Sequence, residues 1–390
     1  MGPEFEGLHV RNLATGRTCL PLHLRQGVLL ALCLIPVAAR PSAAQQTAGP
    51  GGTSGVVSAA QQPDGDDCAK INEGWGALPS TGGVVDAREF TGTQACGSNP
   101  FEGVNKAGET MLGGTTYQAS RTWVMPGKSI LQGIGRGDSE ANNTVIQASP
   151  NLFGPILQLS SGSAAIEGVR AESLTVDCNN DDSVTGVLDN VAQEESGLRH
   201  VLIVNCTNTG LDIEDGSQNA SFDDIEVLSG GASPSTRPVV VNTRGPLRGI
   251  HGITVNTWSL PYPDVAMRIG SMGSYTDMHC EGAITCFYVT ADNVTLMNVE
   301  CGPNVRVCVQ VAPGVRNLTI TALLNTSPGS VVIEDAASHV NLTESGEASG
   351  VGWYSIGSGT PAPVCSSSVH VACTFKMPAA AERILLPIVR

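Results

Sequence analysis

The sequence predicts an all-β protein whose strands wind as a parallel β-helix, and three observations lead to this fold class. First, the 390-residue chain is 41% hydrophobic, 15% charged and 4% aromatic, and it contains 46 glycines. Long exposed helices favour Glu, Lys and Ala, whereas this composition fits short strands joined by turns. Second, alternating Val-rich segments recur every 20 to 28 residues from Glu167 onward. Third, the cysteines recur in step with those segments.

The charge balance excludes several classes of partner. A disordered chain would carry more charge and fewer apolar residues, so the composition indicates a globular protein. The chain has 21 Lys and Arg against 36 Asp and Glu, a formal net charge of −15. A strongly acidic protein has no general attraction for phosphate backbones or anionic lipids. Neither nucleic acid nor a membrane surface is therefore an expected partner.

Residues 1–44 have the pattern of a secretory signal. Basic residues precede an apolar run over 28–39, and small residues lead to Ala44, where cleavage is expected. The apolar run is too short to span a bilayer. Removing residues 1–44 takes away four Arg and two Glu, which leaves 17 basic and 34 acidic residues and a net charge of −17. We expect a secreted or periplasmic protein, not held by the membrane after cleavage, with a flexible leader over 45–65.

The repeat has two alternating strands in each unit. One inward apolar residue traces the first strand through the units: Val176, Val204, Val227, Val255, Met278, Val299 and Ile320. A second series traces the other strand: Ile213, Val241, Ile269, Val289, Val311, Ile333 and Ile356. Leucine-rich repeats have similar periods, but they need a Leu and Asn ladder and a helical return. Each unit is therefore interpreted as one coil of a β-helix.

Ten cysteines follow the signal, and their even number in a secreted chain predicts disulfides. None of their spacings resembles a zinc site, so no metal site is expected. Strands in neighbouring coils lie about 4.8 Å apart, within the reach of a disulfide. The repeat register predicts three bonds between coils: Cys178–Cys206, Cys280–Cys301 and Cys286–Cys308. The remaining pairs are expected to be Cys68–Cys96 and Cys365–Cys373, the second of which would tie a C-terminal tail over 357–390.

The open end of a β-helix exposes strand edges and apolar side chains, so it needs a lid. The segment from Asp66 to Leu78 is expected to be this capping helix, with Asp66 or Asp67 as its N-cap. Four motifs follow it in order: GGVVDA over 82–87, GTTY over 114–117, PGKSILQGIGRG over 126–137 and TVI over 144–146. This order resembles the opening of the pectate-lyase-like superfamily, which has the pectin lyase fold. The resemblance covers 66–356 and implies a single-stranded right-handed parallel β-helix with an N-terminal capping helix.

The GIGRG segment over 133–137 could also be taken for a phosphate-binding loop. It lacks the Lys and Ser/Thr that follow in such loops, and no strand–helix–strand unit surrounds it. We interpret it as a turn of the β-helix.

Acidic and imidazole side chains occupy outward positions of the first strand in successive coils. Such groups can hydrogen-bond sugar hydroxyls and can hold an acid/base pair. The predicted substrate-binding residues of this stripe are His200, Glu226, Arg248, Asp277, His279 and Glu300. The alternative is a solvated polar face, which every β-helix has.

Four short elements resemble, in order, those of polygalacturonase-type glycoside hydrolases. They are Asn208-Thr209-Gly210, Asp223-Asp224, Ile250-His251-Gly252 and Arg268-Ile269-Gly270. All but the Asp pair are incomplete in this chain. The resemblance implies that Asp223 and Asp224 supply general acid and base, that His251 orients one of them, and that Arg268 holds a substrate carboxylate.

These observations predict a secreted β-helix protein that binds a polysaccharide, and they leave open whether it also cleaves the polymer, as a hydrolase or as a lyase. A hydrolase of this kind requires no cofactor, whereas a lyase would use a cation such as Ca²⁺ and a Lys or Arg base. The alternative is a non-catalytic extracellular surface protein, an adhesin or a structural β-helix. The sequence leaves the sugar, its linkage and the oligomeric state open.

Overall fold

Parallel β-strands make up nearly all the regular structure of the described residues, and one α-helix lies near the N-terminal end of the coils. The computed structural model describes residues 55–63, 65–137, 142–229, 239–245, 247, 249–257, 260–325, 331–333, 338–344, 353–356, 364–367 and 374–376. These residues form a β-helix of about ten coils, as the sequence predicts.

The helix α1 spans Asp67–Ala77, and a short 3-10 helix spans Ala59–Gln61. The strands are β1 (Val56–Ser58), β2 (Gly83–Ala87), β3 (Gly92–Cys96), β4 (Gly108–Leu112), β5 (Thr115–Ala119), β6 (Trp123–Met125), β7 (Ser129–Gln132), β8 (Val145–Ala148), β9 (Gly154–Leu159), β10 (Arg170–Asp177), β11 (Val184–Asp189), β12 (Gly197–Val204), β13 (Leu211–Ile213), β14 (Ser221–Ser229), β15 (Val239–Thr243), β16 (Gly249–Thr257), β17 (Val265–Ile269), β18 (Gly273–Glu281), β19 (Ala283–Val289), β20 (Val294–Cys301), β21 (Val305–Val311), β22 (Arg316–Asn325), β23 (Val331–Ile333), β24 (Ser338–Glu344), β25 (Trp353–Ile356), β26 (Val364–Ser367) and β27 (Thr374–Lys376).

The strands form three faces in each coil. In the first coils, β2, β4 and β7 pair with one another and form face A, and β3, β5 and β8 form face B. From β10 onward one long strand supplies both faces, because residues 170–172 pair with β7 and residues 175–177 pair with β8. The 11-stranded sheet that runs from β6 to β27 forms face C. The two strands per coil that the repeat predicts thus become three faces, since the first strand bends.

A single residue with left-handed backbone makes the bend in each long strand. The pairing skips this residue: Arg199 pairs with Asp223 and Val201 pairs with Ile225, on either side of the bend. Seven such residues, with φ between 53° and 65°, form the bend column: Ser173, His200, Asp224, Gly252, Asp277, Asn298 and Ala322. Because the bend interrupts the alternation of side chains, the bend residue and the residue before it are both left outside the core.

The interior of the coils is a continuous ladder of apolar side chains, and α1 closes its N-terminal end, as expected. Asp66 is the N-cap, and its carboxylate accepts a hydrogen bond of 2.8 Å from the Ala69 backbone N–H. At the other end of α1, the Lys106 ammonium donates to the backbone carbonyls of Trp75, Gly76 and Leu78. A cation at this end satisfies carbonyls that have no partner within the helix.

The predicted register is correct in some coils and wrong in others. Val227 pairs with Val255 and Met278 pairs with Val299, as the repeat predicts. In the first series four alignments are wrong, and the pairs are instead Val176 with Ile203, Ile203 with Val227, Val255 with Cys280, and Leu296 with Ile320. In the second series two alignments are wrong, because Val241 pairs with Leu211 and with Met267. Each strand carries several inward apolar residues, and the bend adds a residue to the alternation. Spacing alone therefore does not say which apolar residues are partners.

Four disulfides lie within the described residues. Cys68–Cys96 and Cys178–Cys206 form as predicted, with Cα–Cα distances of 5.2 and 4.8 Å. The predicted bonds Cys280–Cys301 and Cys286–Cys308 are wrong, although Cys280 and Cys301 are register partners. Cys280 bonds Cys286, and Cys301 bonds Cys308, each pair within its own coil.

The reason for the different pairing is the short turn between β18 and β19. Gly282 alone makes this turn, and its φ of +67° brings the chain sharply from face B to face C. The two buried cysteines of one coil then meet across the interior, with a Cα–Cα distance of 5.8 Å for Cys280 and Cys286. The remaining predicted pair, Cys365–Cys373, lies outside the residues whose side chains are described.

The ends of the β-helix differ from the predicted boundaries. Part of the expected leader over 45–65 is ordered, because β1 adds its Val-rich edge to β2 and Val84 N–H donates to the Gly55 carbonyl at 2.6 Å. At the other end the coils continue past 356, since β26 pairs with β24 and β27 pairs with β25. The expected signal over 1–44 lies outside the described residues. In the described part of the chain no helix is long and apolar enough to cross a membrane.

Candidate functional site

The candidate site lies on the outer surface where face A meets face B, along the bend column. Asp223 and Asp224 are consecutive residues of β14, yet both side chains face solvent, while Phe222 and Ile225 on either side of them are buried. In a regular strand two consecutive side chains point to opposite faces. The left-handed backbone of Asp224, with a φ of 53°, turns both carboxylates outward. The sequence motif thus becomes a pair of adjacent exposed carboxylates.

Asp224 is held by groups from two other elements. Its Oδ2 lies 2.6 Å from Nδ1 of His200, the bend residue of the neighbouring strand β12. Its Oδ1 accepts from Arg136 Nη2 at 3.1 Å, and its backbone carbonyl accepts from Arg136 Nη1 at 2.9 Å. Both oxygens of the carboxylate therefore have a defined partner.

His251 connects two carboxylates from different coils. Its Nδ1 lies 2.8 Å from Asp223 Oδ1, and its Nε2 lies 2.9 Å from Asp277 Oδ2. Each of the two carboxylates has one further partner. Arg199 Nε lies 3.8 Å from Asp223 Oδ2, and the Asn298 amide donates to Asp277 Oδ1. The result is a row of hydrogen bonds across β14, β16, β18 and β20, which the ion pair of Arg199 extends to β12.

The two sides of the site have opposite protonation preferences. Partial burial raises the pKa of Asp224, but the hydrogen bond from His200 and the charge of Arg136 outweigh it, so that the pKa lies below its ordinary value. The hydrogen bond to Asp223 is the largest of the effects that raise the pKa of His251, and Asp277 adds to it. The site therefore favours an ionised Asp224 beside a protonated His251.

A cleft opens beside these residues on face A. It has a volume of about 590 Å³, and Arg199 and Asp223 belong both to its lining and to the row described above. Three cationic side chains line it: Lys128, Arg170 and Arg199. Its floor includes Gly197 and Ser221, which are neighbours in the pairing of β12 with β14.

The acidic side of the cleft is partly neutralised. Arg170 Nη1 lies 3.5 Å from Glu172 Oε1. Burial, and after it the charge of Glu172, raises the pKa of nearby Glu109. Within the described residues Lys128 has no carboxylate within 4.0 Å, so its charge is available to a ligand.

A second cluster lies further along face B. His279 Nε2 is 3.1 Å from Glu281 Oε1, and His279 Nδ1 is 3.3 Å from Glu300 Oε2. The Asn256 amide donates to Glu281 Oε2 at 3.2 Å. Glu226 lies on the same outward row as His279, with Thr254 between them. No group of three or more His, Cys, Asp and Glu side chains is arranged to hold a metal ion in the part of the chain that the structure describes.

The structure brings together most of the predicted site residues and separates one. Asp223, Asp224, His200, His251 and Asp277 meet at the bend column, and their side chains are between 43% and 59% exposed. Glu226, His279 and Glu300 lie on face B beside this group.

Arg268 does not lie with the other predicted catalytic residues. It lies on β17 in face C, where Asn242 and Tyr288 are its pairing neighbours. The chain turns from face B to face C between β16 and β17, which removes Arg268 from the carboxylates on β14. Arg248 lies outside the described residues.

Sequence reasoning missed the cations of the site. Arg199 precedes His200. In a regular strand consecutive side chains alternate, so only one of these two residues would face outward, whereas the bend at His200 turns both side chains outward. Arg136 belongs to the GIGRG segment, which we interpreted as a turn, and its contact with Asp224 joins residues 88 positions apart. A single sequence contains no signal for such a contact. The one available indication is an Arg that stands alone among three glycines.

No protein-family profile matches the chain, and no curated protein matches it. Six chains of solved structures are similar to it. One is ORF18 of Geobacillus virus E2, with 14% identity and a TM-score of 0.39, where the match covers 83% of this chain and 61% of that chain. Another is an endo-xylogalacturonan hydrolase from Aspergillus tubingensis, with 14% identity and a TM-score of 0.26, covering 83% of this chain and 93% of that one.

This chain thus spans about three fifths of the length of the viral protein. At 14% identity the similarities concern the fold alone. The strand pairing of this chain itself displays a parallel β-helix.

Proposed function

We propose that this protein is a secreted glycoside hydrolase that binds a polysaccharide along face A and cleaves it beside the bend column. The observation that carries this proposal is the pair Asp223 and Asp224, two adjacent carboxylates that both face solvent and that each contact an imidazole. Four disulfides fit an oxidising extracellular or periplasmic location.

The proposed chemistry assigns the base to Asp224 and the acid to the His251 row. Hydrolysis breaks the bond between the anomeric carbon and the leaving oxygen, which takes up a proton from the acid. Water supplies oxygen to the anomeric carbon and gives its proton to the base. Asp224, with its lowered pKa, is ionised and can accept that proton. His251, with its raised pKa, holds a proton between Asp223 and Asp277 that the leaving oxygen can receive.

The cleft supports an acidic polysaccharide as the substrate. Arg and Lys bind carboxylates through charge and hydrogen bonds. Lys128, Arg170 and Arg199 place three cations next to Asp223 in a protein whose net charge is strongly negative. Glu172, Glu195 and Asp223 also line the cleft, so its formal charges balance. A uronate carboxylate would pair with Lys128, which has no carboxylate within 4.0 Å among the described residues, and would bring its sugar ring beside Asp223. We propose hydrolysis without a cofactor, since carboxylates and imidazoles supply its acid and base; Ca²⁺ would be needed only if the reaction were an elimination.

The test is a panel of acidic and neutral polysaccharides incubated with the mature protein. New reducing ends report hydrolysis, and absorbance of unsaturated uronates reports elimination. We expect hydrolysis of an acidic polymer, with kcat reduced about 100-fold or more in Asp224→Asn. Arg170→Ala should raise KM for the acidic polymer. Asp182→Asn, in an exposed turn after β10, and Arg306→Ala, on face C, are the matched controls and should leave both constants unchanged.

The pH profile provides an independent check. Activity that requires ionised Asp224 and protonated His251 falls on the acid side with the pKa of Asp224 and on the alkaline side as His251 loses its proton, above its ordinary pKa of about 6.5. If no polysaccharide yields products, and Asp224→Asn binds glycans as the wild type does, the enzyme proposal is wrong and the non-catalytic surface or adhesin interpretation takes its place.

A further inference from the structure

The loop that carries Arg136 is packed against the bend column. It leaves face A after β7, and Gly133 N–H donates to the Glu172 carbonyl at 2.9 Å. A Cβ atom at Gly133 would lie 2.3 Å from the Ser173 carbonyl oxygen, so only glycine fits there. The loop therefore approaches the first residue of the bend column as closely as the backbone allows.

Two buried threonines fix the loop on either side of Arg136. Thr144 Oγ1 accepts from Ile134 N–H at 3.1 Å and donates to the Gly113 carbonyl at 2.7 Å. Thr175 Oγ1 accepts from Gly137 N–H and donates to the Gly137 carbonyl, both at 2.9 Å. Side chains that are fully used and buried leave little freedom to the segment between them.

Arg136 uses this fixed position to contact one residue twice. Its two terminal nitrogens contact the carbonyl and the carboxylate of Asp224, and its side chain is only 21% exposed. The guanidinium is a rigid planar group, so two contacts define both the position and the orientation of what it holds. His200 takes the second carboxylate oxygen.

We propose that Arg136 is a positioning residue of this site: it holds the Asp224 carboxylate ionised and in one orientation, and it does not itself bind the substrate. This inference rests on the proposed function, in which Asp224 is the base. In this proposal the GIGRG segment over 133–137 is a turn that also positions the Asp224 carboxylate.

The reason for a guanidinium here lies in the other charges around Asp224. Asp223 and Glu226 lie on its own strand β14, His200 and Arg199 lie on β12, and His251 lies on β16. Burial opposes the ionisation of Asp224, and the hydrogen bond from His200 and the charge of Arg136 favour it, so that its pKa lies below the ordinary value.

Arg136 keeps its charge throughout the working pH range and contacts Asp224 directly. It therefore stabilises the ionised carboxylate over the whole working pH range.

The experiment measures the pKa of Asp224 directly, by NMR titration of protein labelled with ¹³C at the aspartate carboxyl groups. Arg136→Met removes the charge and keeps much of the volume, Arg136→Lys keeps the charge without the planar fork, and Thr175→Val releases the loop. Arg121→Met, at an exposed Arg in the turn between β5 and β6, is the matched control. The Asp224 resonance is assigned by its loss in Asp224→Asn.

We expect Arg136→Met to raise the pKa of Asp224 by about one pH unit or more. In the same variant kcat on the acidic polymer should fall roughly 10- to 100-fold while KM changes less than about twofold. Arg136→Lys should restore most of the pKa and little of kcat, because it lacks the second contact. Thr175→Val should shift both quantities in the same direction by less, and Arg121→Met should shift neither.

An unchanged pKa of Asp224 in folded Arg136→Met would overturn the inference. So would a change confined to KM, because that assigns Arg136 to substrate binding. If the pKa rises as expected but the wild-type protein cleaves no polysaccharide, the proposed function fails while the electrostatic role of Arg136 stands. The two failures are therefore distinguishable.

Discussion

Asp189 is a carboxylic acid in the interior of the coils, where its pairing neighbours are Leu159 and Ile213. Its Oδ1 accepts from Ser217 Oγ at 2.8 Å and from Ala192 N–H at 3.0 Å, whereas its Oδ2 is buried with no hydrogen-bond partner. Burial raises the pKa of Asp189 to about 7, and the hydrogen bond from Ser217 offsets only part of the effect. A protonated carboxyl is the form that this interior tolerates.

Asp189 should make the stability of the protein depend on pH. The folded state holds its proton up to about pH 7, whereas an unfolded chain releases it near the ordinary value of 3.8. The stabilising contribution is therefore full below pH 3.8 and is lost as pH rises toward 7, at no more than about 1.4 kcal/mol per pH unit. The side chain that Asp189→Asn introduces does not ionise. The free energy of unfolding of this variant, relative to that of the wild type, should therefore increase from pH 4 to pH 8.

Urea unfolding at several pH values measures this difference. Asp182→Asn, an exposed Asp in the turn after β10, is the control and should follow the wild type at every pH. A difference between Asp189→Asn and the wild type that is the same at pH 4 and pH 8 would contradict the raised pKa.

At the scale of elements, the bend column explains both the shape of the long strands and the position of the site. Left-handed backbone costs an ordinary residue roughly 1–2 kcal/mol, and Asn, Asp and Gly tolerate it best. Asp224, Asp277 and Asn298 thus fit the bend conformation and at the same time present polar groups outward. A similar column of asparagines lies at the start of the later strands, where the Asn317 amide donates to Asn293 Oδ1 at 2.9 Å. Polar bends stacked in register are what produce a polar stripe.

Substitution of Gly252 tests the conformational demand of the column. Its φ is +65°, and a Cβ there would meet no atom closer than 3.5 Å, so backbone conformation and not space is limiting. Gly252→Val should lower the free energy of unfolding by about 1–2 kcal/mol, whereas Gly252→Asn should change it by less than about 0.5 kcal/mol. Equal losses in the two variants, measured by urea unfolding, would mean that the position does not require left-handed backbone.

At the scale of the whole molecule, the disulfides divide into two kinds. Cys68–Cys96 and Cys178–Cys206 join residues 28 positions apart, whereas Cys280–Cys286 and Cys301–Cys308 close loops of 6 and 7. In the chain-entropy account a disulfide stabilises by restricting the unfolded chain, and longer loops restrict it more. The first kind therefore contributes more stability, and the second kind fixes how two faces of one coil meet.

Two double variants compare these kinds of disulfide. Cys178→Ala/Cys206→Ala should lower the free energy of unfolding by about 3.6 kcal/mol, and Cys280→Ala/Cys286→Ala by about 2.2 kcal/mol. All four side chains are fully buried, so the loss of packing is matched between the two pairs. Peptide mapping of the intact protein should recover Cys280 bonded to Cys286. If it recovers Cys280 bonded to Cys301 instead, the disulfide joins two coils, and the smaller decrease in the free energy of unfolding is no longer expected.

The sequence is enough to predict the parallel β-helix, its capping helix and most members of the candidate site. Periodic apolar residues, the N-cap Asp66 and the motifs over 82–146 are local or repeating signals, and parallel stacking places equivalent positions of successive coils together. For the same reason Asp223, Asp224 and His251 were predictable as one cluster.

The third face, the pairing of Cys280 with Cys286 and of Cys301 with Cys308, the position of Arg268 on face C and the contact of Arg136 with Asp224 all come from the tertiary structure. Asp224 adds a bend within a strand, and Gly282 closes a coil in a single residue. The bend in β14 leaves Asp223 and Asp224 both outside the core and buries Phe222 and Ile225, which are three positions apart. A contact between residues 88 positions apart leaves no periodic trace in the sequence. The bends and this long-range contact both follow from tertiary packing, which the repeat alone does not specify.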